Sequence, residues 1–455
     1  MEATGATVEQ LNPEAERILW DVMEEYVDEA EFAAEAFESA LDDPEYNLDE
    51  LAGGPEGKLL ACIDGLVIGG PLVVKRLLRA ELGRADSEEA ARTIAVVLAL
   101  LAAERRDLVA PYLSHDSETV RVAASRACAL SSSPKVDPWL MDQLTAAYTS
   151  PGRAAILDAI AARGLQVDSL VASLNSDDTA EVREAARAAR RADRTAHLGA
   201  IQWLLLQAEP EVRDVALITA LHYGSAEAWN LCERLALDPS APNPMAMQLY
   251  ATLGGPAQHN RLVEALALDS HRAPALRALG FSGNPGLVDR LLPYLQEGTD
   301  ELEAKLAAEA ISLIAGLDLR DDAFIIEEES EEEEAEEDGL PPLDEDLQDD
   351  LALKPEDALP TPNPEAIRQW WETEGPRLDK KRRHLAGQPW SGAAIADYLG
   401  RGALRDRHMV ALSLSIRTGG AVYVDTRAFT ERQRAQIGAV ASLSTGSFVR
   451  KFSQW

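Results

Sequence analysis

A short residue phrase recurs about every thirty positions through the middle of the chain, and this period limits the possible folds more than any other feature. Asp116-x4-Arg121, with Val120 before the Arg and Ala124 after it, is echoed by Asp178-x4-Arg183 with Val182 and Ala186. Glu209-x3-Arg213, with Val212 and Ala216, is a third copy one residue shorter. Weaker copies place Arg92, Arg153, Arg272 and Lys305 at the same point. From Arg92 to Arg213 the basic residues are spaced 29, 32, 30 and 30 apart; Arg272 follows after 59 and Lys305 after 33. A fixed period of roughly 20–50 residues builds a stacked array of small units rather than one globule. Such an array favours a binding surface over a catalytic pocket.

The units are expected to be helical. Hydrophobic residues make up 46% of the chain but aromatics only 5%, so Ala and Leu carry the core, and these suit close-packed helices better than sheets. From residue 71 to about 320, helical stretches alternate with turn signals such as Ser150-Pro151-Gly152, Gly254-Gly255-Pro256 and Gly283-Asn284-Pro285-Gly286. Val120, Ala124 and Cys128 lie four apart, as do Val182 and Ala186, and Val212, Ala216 and Ala220. That spacing puts small apolar side chains on one helix face, where a neighbour can approach to about 8–10 Å. The recurrent acid caps the helix and suits its positive end. Asp116, Arg121, Arg153, Asp178, Arg183, Arg213, Arg272 and Lys305 are thus read as a structural ladder, each cation reaching the turn or acid of an adjacent repeat.

These phrases resemble short HEAT repeats. The resemblance implies an all-α, HEAT-like α-solenoid of stacked antiparallel helix pairs. Residues 1–70 are expected to form a helical N-terminal cap, its first helix opening at Asn12-Pro13, because an array must cover its exposed apolar end.

Charge divides the rest. The formal net charge is −35, yet residues 365–455 hold 15 Lys and Arg against 8 Asp and Glu. Between them, Glu327 to Asp338 place ten acids in twelve positions, followed by Pro341, Pro342, Pro355, Pro360, Pro362 and Pro364. Repulsion and a lack of apolar residues make 321–364 read as a disordered acidic linker. Residues 365–455 read as a small, basic, mainly helical domain, with Thr430-x-x-Gln433 as a capping box and Val422 to Val424 as a short extended piece. Its basic cluster Lys380, Lys381, Arg382 and Arg383 near Trp370, Trp371 and Trp390 is a candidate partner-binding site. Cations beside aromatics also suit nucleic acid, but the whole-chain charge argues against that role.

No catalytic, cofactor or metal motif appears. The seven histidines never pair at metal-ligand spacing, and neither a Gly-x-Ser-x-Gly elbow nor a Gly-x4-Gly-Lys loop is present. Cys62, Cys128 and Cys232 are widely separated and expected to be reduced. A helical-repeat DNA glycosylase would need a basic concave groove, and a bilin lyase-like chaperone a pigment pocket whose acids the sequence does not single out. No signal sequence or membrane span is read, so a cytoplasmic location is expected.

A closer likeness lies at the two ends. Tyr46-Asn47-Leu48-Asp49-Glu50-Leu51, Ile63-Asp64-Gly65-Leu66, Pro364-Glu365-Ala366-Ile367-Arg368-Gln369-Trp370-Trp371 and Asp425-Thr426-Arg427-Ala428-Phe429 resemble a proteobacterial HEAT-repeat family often encoded beside type VI secretion components. The resemblance implies a non-enzymatic scaffold without cofactor. It would act as adaptor or chaperone for an effector, spike or tip protein; the alternative is a nucleic-acid-binding protein using the basic C-terminal part.

Overall fold

The chain is all-α, and its helices pack as sequential neighbours. The computed structural model describes residues 18–83, 90–147, 149–207, 209–296, 298–326 and 354–443. They fall into two compact units.

The first unit holds residues 18–39, 51–193 and 427–430. Its longer helices are α1 (Trp20–Ala40), α2 (Pro55–Ile68), α3 (Ala90–Ala102), α4 (Glu118–Leu130), α5 (Val136–Ala146), α6 (Ser150–Ala162) and α7 (Thr179–Ala188). Helices α2, α3, α4, α6 and α7 each pack on the next. The contact surface is built from small side chains: Ala154, Ala155 and Ala159 on α6, and Ala185, Ala186 and Ala188 on α7, are buried. Val120, Ala124 and Cys128 are buried together, as their spacing required. Asp178 caps α7 by accepting the Glu181 amide at 2.9 Å. In the copy at Asp116 the cap position is Ser117 instead, and no side chain bonds there.

The ladder is realised unevenly. Arg153 reaches the next repeat and grips the buried Glu181 carboxylate with Nε at 2.7 Å and Nη2 at 2.9 Å. Arg92 gathers Glu81, Asp28 and Glu31. Arg121 instead donates to the carbonyls of His115 and Asp116 in its own turn. Arg183 pairs with the adjacent Glu184. In the second unit, Arg272 bonds Glu303 of the next helix pair, whereas Arg213 and Lys305 pair locally with Asp214 and Glu301.

Of the described residues, the second unit holds 40–50, 194–207, 209–296, 298–326, 354–426 and 431–443. It contains α8 (Arg194–Leu204), α9 (Pro210–His222), α10 (Ala226–Ala236), α11 (Pro244–Leu253), α12 (Pro256–Glu264), α13 (Asp269–Gly280), α14 (Glu301–Ala315), α15 (Pro364–Glu374), α16 (Gly392–Arg401), α17 (Leu404–Arg417) and α18 (Thr430–Val440, whose first residue clusters with the other unit). Helices α8 to α11 pack in sequence, α11 packs on α13, and α13 on α14. At the last contact Gly280 meets Ala310 so closely that a Cβ there would lie 2.9 Å from the Ala310 Cα. Helix α17 packs against both α9 and α11.

Between α15 and α16 a hairpin pairs β1 (His384–Leu385) with β2 (Gln388–Pro389). Its turn residues, Ala386 and Gly387, both have positive φ. Their amides donate to the carbonyls of Leu313 and Ile314 at 2.7 and 3.1 Å, satisfying groups that the end of α14 leaves open. The expected extended piece at Val422–Val424 is loop, so extended pairing falls at 384–389 instead.

The expected borders at 70, 320 and 364 do not coincide with the division into units, because 365–426 cluster with 194–326. The acidic run 327–353 and the helix start at Asn12-Pro13 lie outside the described residues. The flanks of that run are built: Ile325 bridges Pro362, and Asn363 accepts the Ala366 amide at the start of α15. Gln433 accepts Arg407 Nη2 at 2.6 Å.

Candidate functional site

Four stretches of the second unit enclose a cleft of about 520 Å³. The Gly254-Gly255-Pro256 turn that opens α12 forms one side, followed by His259. Ser282, Gly283 and Asn284, after α13, form another. Lys380 to Arg383, Pro389 and Trp390 come from the hairpin region, and Arg417 from the end of α17. Gly283 is essential to this assembly. Its φ is +60°, and a Cβ there would lie 2.2 Å from the His384 carbonyl oxygen, which belongs to the strand that directly follows the basic cluster.

Among the described residues the lining contains five cations and a histidine but no Asp or Glu, in a chain with 78 acids and 43 Lys and Arg. Arg383 lies against the indole of Trp390, its guanidinium carbon 3.9 Å from the ring centroid. It donates to the Thr252 carbonyl, to Thr252 Oγ1 at 3.0 Å and to the Phe281 carbonyl. Arg417 Nη2 donates to the same Thr252 carbonyl at 2.7 Å. Burial, and then the charge of Arg417, press the Arg383 pKa well below its ordinary value. Burial brings that of Arg417 down to about 10.

His259 is buried, and its Nε2 lies 2.9 Å from the Ala251 carbonyl. Nε2 must therefore carry the proton, which leaves Nδ1 as an acceptor. Burial, with Arg383 and Arg417 nearby, lowers the His259 pKa to about 4, so the ring is neutral near pH 7. Buried atoms of the described lining residues without a hydrogen-bond partner include Arg383 Nε, Trp390 Nε1 and His259 Nδ1. Each orphan of this kind costs about 1–3 kcal/mol. Like-signed guanidinia and orphaned polar atoms on one concavity are what an anionic ligand would satisfy.

The aromatic part of the expected site divides. Trp390 lines the cleft, whereas Trp370 and Trp371 do not. Trp371 is buried and donates Nε1–H to Asp289 at 2.7 Å, and Trp370 stands edge-on to Phe324 at 6.3 Å. Lys380 lies 3.4 Å from Asp289 and Arg382 3.4 Å from Asp379, at the rim. His259, Ser282 and Arg417 were not predicted. Their sole signals were the glycine turns before α12 and after α13, which say nothing of a shared wall.

A second concavity of about 300 Å³, lined in part by Arg277, Glu356, Arg405 and His408, adjoins a buried ion network. Arg277 Nη1 bonds both Glu309 oxygens at 2.8 Å, and Arg405 bonds Glu356 and approaches Glu309, each at 3.0 Å. Tyr398 donates to Asp406 at 3.1 Å. Two arginines face three acids here, so one acid holds a proton most easily. Burial and then Glu309 push the Asp406 pKa up to about 7. This network is self-neutralising, and it ties α13, α14, α16 and α17 together.

Among the described residues no group of His, Cys, Asp and Glu is arranged to hold a metal ion, and no single helix is long and apolar enough to cross a membrane. No protein-family model matches the chain, and no curated protein matches it.

Proposed function

We propose that the chain is a non-enzymatic protein–protein interaction scaffold of the HEAT-like α-solenoid type, with cytoplasmic partners. In this reading it serves as an accessory adaptor or chaperone for a type VI secretion effector, spike or tip component. The observation that carries the scaffold reading is the sequential packing of repeat helices through buried alanine faces in both units. Helices used in this way bury one face and leave the other for a partner. The second unit also exposes Trp203 and Leu206, side chains of the kind that anchor interfaces. The secretion context rests on the sequence resemblance alone.

An affinity pull-down from the native bacterium tests the reading. Secretion components should co-purify with the wild-type chain and be depleted by Trp203→Ala combined with Leu206→Glu. Recovery of nuclease-sensitive nucleic acid in their place, lost with Lys381→Glu and Arg382→Glu, would establish the alternative reading of the basic cluster.

A further inference from the structure

We propose that the basic cleft is a binding site for a phosphate monoester, with Arg383 and Arg417 at its floor, Trp390 on its wall and Lys381 and Arg382 at its rim. The proposal does not depend on the scaffold reading, since it concerns what the cleft holds rather than what the helices present.

Three observations converge. The first is charge: among the described residues, every ionisable one lining the cleft other than His259 is a cation, and the carboxylates paired with Lys380 and Arg382 lie at the rim, outside the lining. Elsewhere in the same unit Arg277 and Arg405 are held by Glu309 and Glu356. Among the described residues lining the cleft Arg383 has no such acid, and an incoming anion would supply its counter-charge. The second is the inventory of open hydrogen-bond positions. Arg383 Nε–H and Trp390 Nε1–H are donors without acceptors, and His259 Nδ1 is an acceptor without a donor. All three groups line one concavity, and His259 is only 4% exposed. The third is room. About 520 Å³ exceeds what a bare oxyanion fills, and Pro256, Pro389 and Trp390 supply apolar wall for an organic portion.

Stoichiometry favours a phosphoryl group over a carboxylate. A carboxylate brings one charge and two oxygens, both acceptors. A phosphate monoester brings about 1.5 to 2 charges near pH 7 and three terminal oxygens, with a second ionisation near 6. Only the phosphoryl group can accept from the guanidinia and the indole while, as the monoanion, also donating P–OH to His259 Nδ1. It enters as an ester and leaves as one; no bond is made or broken.

Two sources share this chemistry, a small phosphorylated metabolite and a phosphorylated side chain of a partner protein. Calorimetric titration of the full-length protein would use inorganic phosphate, glycerol 3-phosphate, a capped phosphoserine pentapeptide and acetate, at matched ionic strength. Saturable binding of the phosphate probes, with acetate inert, is the expected result. Tighter binding of the peptide would make a partner side chain the source; tighter binding of the ester, a metabolite. Lys381→Glu with Arg382→Glu alters only exposed side chains, so it should fold and weaken phosphate binding by roughly tenfold or more. Arg383→Met should remove it, provided circular dichroism shows the variant folded. The proposal is wrong if no phosphate probe binds better than acetate, or if the rim double variant binds as wild type does. Neither result touches the scaffold reading, whose test is what the native pull-down recovers.

Discussion

Lowering the pH should reveal His259 as a residue held neutral against its environment. Its pKa lies near 4 in the fold, against about 6.5 in an unfolded chain. A depressed value means that the unfolded state binds the proton first, so stability is retained above about pH 6.5 and declines as pH falls toward 4. Between pH 7.5 and 5.0 the linkage amounts to about 2 kcal/mol. That figure changes little if the folded value is anywhere below 5, because the unfolded value sets the window. His259→Gln removes the titration, so its stability should depend on pH less steeply by about that amount. Urea denaturation of both proteins at the two pH values measures the difference. Histidine C2–H exchange followed by mass spectrometry gives the site's pKa without assuming that the two units unfold together. A His259 value of 6 or higher, or equal pH slopes for the two proteins, would refute the picture of a desolvated imidazole beside two guanidinia. The comparison must be between variants, because Asp406 titrates across the same range with the opposite sign and the two contributions oppose each other in the wild type.

Asp406 provides the matching test. Its pKa is raised from the ordinary carboxylate range to about 7, so its contribution is greatest in acid and is lost as pH rises through 7. Asp406→Asn should therefore abolish a loss of about 2 kcal/mol between pH 5 and 7.5 in urea denaturation, and an unchanged slope would locate the titrating proton elsewhere in the network. Within the repeat ladder, Arg153→Met strands the buried Glu181 carboxylate and should cost about 2 kcal/mol, allowing for the exposure of the Arg and the Ser176 hydroxyl that remains. Arg121→Met removes bonds to turn carbonyls only and should cost clearly less; equal losses in thermal denaturation would remove the distinction drawn between cross-repeat and local contacts.

What could be read from the sequence, and what could not, follows from the range of the forces involved. Helix faces are local, so the four-residue spacing of Val120, Ala124 and Cys128 was enough to place them in the core. The cap at Asp178 was legible for the same reason. The hairpin was hidden because Ala386-Gly387 lacks the usual Asn-Gly signal and Pro389 argues against a strand; what fixes it is the distant end of α14. Arg405, Asp406 and Arg407 are three consecutive charged residues, yet all three are buried. Their partners Arg277, Glu309, Glu356 and Gln433 are scattered over more than a hundred positions, so no window could have assembled them. The cleft is the extreme case. Lys380 to Arg383 were visible as a cluster, but His259 and Arg417 join it only through the fold.

The two enclosed groups of arginines bring out a difference that composition conceals. A chain with 78 acids and 43 Lys and Arg has ample carboxylate to neutralise any arginine it encloses. It does so at Arg277 and Arg405, where three acids answer two cations and one surplus proton settles on Asp406. Around Arg383 it supplies carbonyl oxygens and an indole face, which orient the guanidinium without cancelling its charge. Orientation without neutralisation leaves that charge available to an incoming anion. The same reasoning ties the cleft to His259. An anion seated between the two arginines would cancel the field that, with burial, keeps the imidazole deprotonated. Phosphate binding should therefore raise the His259 pKa and be tighter in mild acid than charge on the ligand alone would allow. A His259 pKa that stays fixed while phosphate saturates the protein would place the anion elsewhere.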